Sequence, residues 1–224
     1  VYEPTPGLYQ NMVVFDYRSL YPSIIASHNI SLGTLNCSCC KDSASRIETS
    51  KEEVWFCEKR KGFVSRVIED IILRRSKLKV QLKKEPYDPL VYARSIALKY
   101  LANSLYGYLA FDVARWYSFT CADATTAFGR RYVQNVIRIA QESAFTVVYG
   151  DTDSAMLLLD DKTRKDAIDF AKKINKELPG IMELEIEGFY PRAIFVSTRG
   201  SEAGAKKKDD SRYFSSLQAR LLSL

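Results

Sequence analysis

The sequence predicts an α+β domain interrupted by an antiparallel helical hairpin, on three observations. Apolar strands carrying aspartates lie toward both ends, in NMVVFDY (Asn11–Tyr17) and VVYGDTDSAML (Val147–Leu157). Between them, two long helical patterns follow one another across the proline-bearing break KKEPYDP. Strands and helices then alternate through the second half of the chain.

In chain order, NMVVFDY reads as a strand that ends on Asp16, and SLYPSIIASHNI turns at Pro22 into a short apolar helix or strand. The segment 36–61 is polar, cysteine-bearing and irregular, and reads as an insertion or linker. From Val64 the residues Val67, Ile68, Ile71, Ile72, Leu78 and Leu82 keep helical spacing up to Pro86 and Pro89. A second helix is expected from Pro89 to Tyr106, capped by Gly107. The two make the antiparallel hairpin. A helix over 121–141, a β-hairpin with Asp151 and Asp153 at its tip, a helix over KTRKDAIDFAKKINKEL and the strands MELEIEGF and AIFVST come next. The tail RGSEAGAKKKDDSRYFSSLQARLLSL is polar and basic, without a packing pattern. The chain thus parses as 1–60, 61–107, 108–200 and 201–224.

With 224 residues, 46% of them hydrophobic, the chain can bury a sizeable core. Its 33 Lys and Arg against 27 Asp and Glu give a net charge of +6, which suits an anionic partner and equally an ordinary basic surface. No apolar run reaches the roughly 18 residues of a membrane span and no signal peptide opens the chain, so an intracellular protein with no membrane partner is expected. The opening VYEPTPGLYQN reads as the interior of a longer protein. Cys37, Cys39, Cys40 and Cys57 permit a zinc site or one disulfide and require neither; free thiols are the default reading, Cys121 included.

At about 6 Å and an effective dielectric near 20, Asp151 and Asp153 repel by roughly 2 to 3 kcal/mol, a cost that a nearby cation removes. Aspartate is also simply a good turn residue. Arg75 falls inside the apolar stripe of Val64, Ile68, Ile71 and Leu82, with Lys79 one turn on. A guanidinium there either meets an anion, rotates away with the helix, or snorkels. On the second helix Tyr92, Ser95, Lys99, Asn103 and Tyr106 share one face, so Lys99 can complete a cluster of three cations matching a triphosphate. No G-x-x-x-x-G-K-[ST] or G-x-G-x-x-G is present to cradle phosphates by backbone. Asp16 is a third carboxylate, and a sheet placing its strand beside the hairpin gathers all three. Carboxylates without histidine favour a hard cation such as Mg2+. Together with the cations they point to nucleotidyl transfer.

DYRSLYPSII, KYLANSLYGY and YGDTDS, in this order, resemble the three polymerase motifs of family B DNA polymerases. GLYQNMVVFDYRSLYPSIIASHNIS, ARWYS and ELEIEGFY look most like archaeal members, and the resemblance covers roughly residues 1–208. It implies a palm, with an antiparallel sheet and packed helices, interrupted by helical-hairpin fingers. Position by position it implies that Asp16 and Asp153 bind two Mg2+ ions, with Mn2+ as a substitute, helped by the carbonyl of Tyr17, and that Asp151 is auxiliary. Ser19 and Leu20 present amides to the triphosphate, while Arg75, Lys79 and Lys99 bind its phosphates. Tyr21 stacks under the deoxyribose and blocks a 2′-hydroxyl. Asn103, Tyr106 and Gly107 line the nascent base pair.

The family's basic palm motif is matched only as far as Lys206, Lys207 and Lys208, which are expected to grip DNA; from Asp209 the match is lost, so Arg212 and Tyr213 are poor substitutes. Cys40 and Cys57 fall near a pair that forms a disulfide in some heat-loving relatives. A second such pair is broken, because Ser118 stands where Cys121 needs its partner, so high thermostability is not implied. The function expected is template-directed DNA synthesis in DNA replication, from dNTPs on primer-template DNA. The rivals are an inactive polymerase-like DNA-binding or structural subunit, and a two-metal nuclease. No exonuclease, thumb or amino-terminal domain is legible, so the other polymerase domains are expected on the same polypeptide or on a partner chain. An archaeal source implies the cytoplasm and association with the nucleoid.

Overall fold

The computed structural model describes residues 2–197 and the strand backbone of 217–222. Along the chain run β1 (Gly7–Tyr17), α1 (Leu20–Ser27), β2 (Arg46–Glu48), β3 (Glu53–Trp55), α2 (Phe63–Lys84), α3 (Pro89–Ala110), α4 (Phe119–Glu142), β4 (Thr146–Gly150), β5 (Ser154–Leu158), α5 (Arg164–Glu177), β6 (Leu184–Ser197) and β7 (Leu217–Leu222), with a 3-10 turn at Ser38–Cys40. The class is α+β, as the sequence implies. No helix among the described residues is long and apolar enough to cross a membrane. Internal contacts divide the chain into two units, one of Val1–Asp16, Val133–Ile174 and Leu184–Leu224, the other of Tyr17–Tyr132 and Asn175–Glu183.

In the first unit, β1 buries Met12, Val13, Val14 and Phe15 in succession. Side chains alternate across a strand, so four buried in a row require cover on both faces. β1 is also paired along both edges, as the middle strand of a five-stranded sheet of order β4-β5-β1-β6-β7. On one face Met12 packs with Val148, Ala193 and Phe195. On the other, Phe15 meets Phe170 of α5 at 5.3 Å between ring centroids, and Phe145 meets the same ring at 5.2 Å. α5 turns Ala167, Phe170, Ala171 and Ile174 inward, the i, i+3, i+4, i+7 stripe of an amphipathic helix. A reciprocal cap starts it: the Thr163 N–H donates to Asp166 Oδ2 (2.8 Å) and the Asp166 N–H to Thr163 Oγ1 (3.3 Å).

In the second unit, α1 packs against α2 and α3, and those two pack on each other. Ile24, Ile25, Ile30 and Ile68 are fully buried there. Asp88 caps α3 by accepting from the Leu90 and Val91 N–H groups (2.9 and 3.0 Å), with Pro89 in the first turn, where its missing N–H costs nothing. α2 starts at a tight crossing. A Cβ added to Gly62 would lie 2.4 Å from the Ser31 Cβ, so only glycine fits. Asn29 fastens the same point: its Oδ1 accepts from the Gly62 N–H (2.7 Å), and its amide donates to the Cys57 and Arg60 carbonyls (2.6 and 2.8 Å).

Four expectations change. α3 does not stop at Gly107 but runs to Ala110, because Leu109 continues the buried line of Ala102 and holds the last turn helical. The strands MELEIEGF and AIFVST are one strand, β6, which runs through Pro191 and pairs with β7 from Arg192 to Ser197 among the described residues. Within the tail, Leu217–Leu222 forms β7, antiparallel to β6. The cysteine-bearing segment contains an antiparallel β2–β3 hairpin with Arg46 opposite Trp55.

This packing has two measurable outcomes. Asp88→Ala should lower stability by about 1 kcal/mol in urea unfolding, through loss of the α3 cap. His28, the sole histidine, stacks on Phe128 at 3.8 Å, and its Nε2 meets the Tyr132 hydroxyl at 2.7 Å. Burial, and then the charge of Arg131, lowers its pKa from 6.5 to about 4. The unfolded chain therefore takes up the proton first, and stability should fall as pH drops from about 6.5 toward 4. Imidazole NMR signals should stay neutral until near pH 4, and His28→Gln should flatten the pH slope; titration near 6.5 contradicts this account.

Candidate functional site

The carboxylates belong to the first unit. β1 pairs with β5 antiparallel so that Asp16 sits opposite Ser154, one residue from Asp153. Residues 151–154 close the β4–β5 hairpin, with the Asp151 N–H donating to the Ser154 carbonyl at 3.0 Å. The Asp151 carboxylate accepts from the Tyr149 hydroxyl (3.1 Å) on one oxygen and the Thr152 hydroxyl (3.2 Å) on the other. Asp153 lies at the surface of the tip, Asp16 and Asp151 half-buried. Crowding by the strand ends, and then the negative charge of Asp151, holds the Asp153 carboxyl above the ordinary carboxylate range, while its own backbone N–H offsets part of this.

A cation beside the pair would relieve that strain, and the all-oxygen donor set suits a hard divalent ion. Among the described residues the three aspartates do not close into a compact three-ligand cluster; the cluster found is that of the cysteines. An open pair of carboxylates still fits Mg2+, which keeps several waters and takes further oxygens from substrate phosphates.

The second unit carries the other expected residues. Ser19 adopts a left-handed conformation (φ 50°) at the start of α1 and does not cap it by its side chain, so the first N–H groups of α1, from Leu20 on, have no side-chain cap from it. Arg75 Nη1 donates to Ser19 Oγ at 3.3 Å. The Arg75 guanidinium is half-buried and reaches the start of α1, with Lys79 half-buried one turn further along α2. On α3, Lys99 and Asn103 are exposed on the face that carries Tyr106, and Gly107 is exposed beside it. The Tyr106 ring lies 4.5 Å from that of Tyr21, so these two aromatics pack on each other. Tyr17, next after Asp16 in the chain, sends its hydroxyl to the Tyr132 carbonyl at 3.4 Å. Lys206 and Lys207 lie outside the described residues.

Two features escaped the sequence. Gly129 of α4 lies under Tyr21: a Cβ there would stand 3.1 Å from Tyr21 Cε1, so this glycine sets how far the ring can sink. Nothing in AFGRRY marks it, because the close neighbour is remote in sequence. The four cysteines of 37–57 bring their sulfurs together, which the irregular C-x-C-C spacing did not require.

Comparison with known proteins matches these features. The sequence profile described as DNA polymerase family B matches residues 1–208. Over 208 residues the chain is 42% identical to "DNA polymerase" of Thermococcus sp. (strain 9oN-7), a match covering 89% of this chain and 26% of that protein. It is 39% identical to "DNA polymerase 1" of Pyrococcus abyssi, again over 89% of this chain and 26% of the relative. The chain thus spans about a quarter of the length of these relatives. Among solved structures, the family B DNA polymerase from the hyperthermophilic archaeon Pyrobaculum calidifontis superposes with a TM-score of 0.65 at 29% identity, covering 86% of this chain and 25% of that one. The chain belongs to DNA polymerase family B.

Proposed function

We propose that this chain is the palm and fingers of a DNA-directed DNA polymerase, adding deoxynucleoside monophosphates from dNTPs to a primer 3′-hydroxyl on template DNA. The observation that carries the reading is the pairing of β1 with β5, which sets Asp16 opposite Ser154 and one residue from Asp153. The α2–α3 hairpin, with its cationic residues, supports it.

In this reaction the 3′-oxygen forms a bond to the α-phosphorus, the bond from that phosphorus to the bridging oxygen breaks, and pyrophosphate leaves. Two Mg2+ ions, with Mn2+ as the substitute, supply Lewis-acid stabilisation and activate the attacking hydroxyl when bound. Asp16 and Asp153 hold them, with the Tyr17 carbonyl. Asp151, both of whose oxygens are already engaged by hydroxyls, plays the auxiliary part. Ser19 and Leu20 offer backbone N–H groups, and Arg75, Lys79 and Lys99 offer cations, to the triphosphate; this fixes the phosphates and offsets their charge. Tyr21 lies under the sugar, where its ring excludes a 2′-hydroxyl. Asn103, Tyr106 and Gly107 contact the nascent base pair, and Lys206 and Lys207 grip the DNA backbone. The remaining polymerase domains act from the same polypeptide or from a partner, beside the chromosome in the cytoplasm.

Primer extension by the full-length polypeptide tests the assignment. Asp153→Ala should reduce it by roughly two to three orders of magnitude or more; extension at the unmodified rate sinks the reading. Nucleotide release from DNA without added dNTPs would instead support a nuclease. Tyr21→Ala should raise ribonucleotide incorporation relative to deoxyribonucleotide, and an unchanged ratio removes Tyr21 from the sugar.

A further inference from the structure

In the second unit, Cys37, Cys39 and Cys40, at the 3-10 turn, converge with Cys57, just beyond β3, so that all four Sγ atoms lie within 4.8 Å of one another. The Cys39–Cys40, Cys39–Cys57 and Cys40–Cys57 sulfurs are 3.7, 3.6 and 3.9 Å apart. A disulfide draws two sulfurs to about 2.0 Å and has no use for the other two; here every cysteine is a free thiol. Four thiolates around one ion at a Zn–S distance of about 2.3 Å stand roughly 3.8 Å apart at the edges of a tetrahedron, which matches the spacings among Cys39, Cys40 and Cys57, with Cys37 within 4.8 Å to close the fourth corner. A four-iron cluster, with one cysteine on each iron, needs its sulfurs much further apart.

We propose that Cys37, Cys39, Cys40 and Cys57 form a structural tetrathiolate site for one Zn2+ ion. The surroundings are built for thiolates. The Asn29 amide holds the Cys57 carbonyl at 2.6 Å. The Trp55 indole N–H holds the Cys37 carbonyl at 2.9 Å. Such partners orient ligand sulfurs and tune them as donors. Lys41, Lys59 and Arg60 flank the ligands in sequence and offset the net negative charge of a zinc tetrathiolate. Cys40 and Cys57 are buried, while Cys39 is exposed and gives an entering ion its path.

The site lies in a short segment with little regular structure. Around the sulfurs pack Ala44 and Trp55, Ile47, Val54 and Phe56 are buried nearby, and each of the segment's strands has three residues. In so short a segment a metal would add a cross-link to a small apolar core. With four protein ligands the site is closed to substrate, and its effect is positional. Through Cys57, Asn29 and Gly62 it fixes the base of α2, the helix that carries Arg75 and Lys79. The zinc site stands whether or not the chain polymerises DNA.

Elemental analysis of the 224-residue chain, purified under reducing conditions without chelator, should find one equivalent of zinc that survives dialysis. Cobalt in its place should give intense thiolate-to-cobalt charge-transfer absorption and tetrahedral d–d bands. Cys39→Ser, at the exposed rim, and Cys57→Ser should each lose the metal, while Cys121→Ser, outside the cluster, keeps it. Should the Cys57 variant fail to fold, chelation of the unmodified chain still decides: Tm should fall and recover when zinc is restored. Metal-free chain, a disulfide in the intact mass, iron in place of zinc, or zinc unchanged in Cys39→Ser overturns the proposal.

Discussion

β1 is squeezed from both faces, and the placement of the carboxylates depends on that. Met12 and Val14 serve one side of the sheet, Val13 and Phe15 the other, so a slip of one residue would turn all four to the wrong layer and drive Phe15 away from Phe170. The register is therefore held by apolar burial well behind the polar end of the strand. Asp16 takes no part in choosing its position; it is delivered there. The same applies to Asp153, carried one residue beyond a strand whose Leu157 is wholly buried.

This division lets unfavourable chemistry persist at the strand ends. Two acids at a hairpin tip repel, and the elevated proton affinity of Asp153 expresses its partial burial first and that repulsion second. A protein stabilised by such a tip would relax it; one stabilised behind the tip can keep it for a ligand. In the second unit Ser19 shows a parallel arrangement. Its left-handed backbone is unfavourable for a side-chain-bearing residue, yet buried Leu20, Ile24 and Ile25 hold α1 in place and Arg75 reaches the Ser19 hydroxyl.

Much of this was legible in the sequence because it is written locally. The periodicity of Val64–Leu82, the Asp88–Pro89 start of α3 and the apolar flanks of the aspartate hairpin each identify an element from neighbouring residues alone. What was not legible depends on distant partners. Gly107 looked like a stop signal until the burial of Leu109 overrode it. MELEIEGF and AIFVST looked like two strands, and their continuity as β6 shows only once the chain is folded into the sheet. The cysteine pattern was ambiguous because three ligands come from one short turn and the fourth from across the β2–β3 hairpin, a geometry that spacing does not reveal. For the site, residue types and order were readable, but the contact of Tyr21 with Tyr106 and the support from Gly129 were not.

The β4–β5 ladder contains one irregularity: Val147 pairs with Leu157 and Tyr149 with Met156, so Val148 is an extra residue on its strand. A bulge of this kind separates the phase of the residues after it from the phase of those before it. Tyr149 and Asp151 lie beyond it and keep their mutual relation whatever happens upstream, whereas Val147 stays tied to Leu157. Val148 and Tyr149 both turn toward Met12, so a chain lacking residue 148 would keep Val147 opposite Leu157 and Tyr149 opposite Met156, with the tip in place and one apolar side chain fewer behind it.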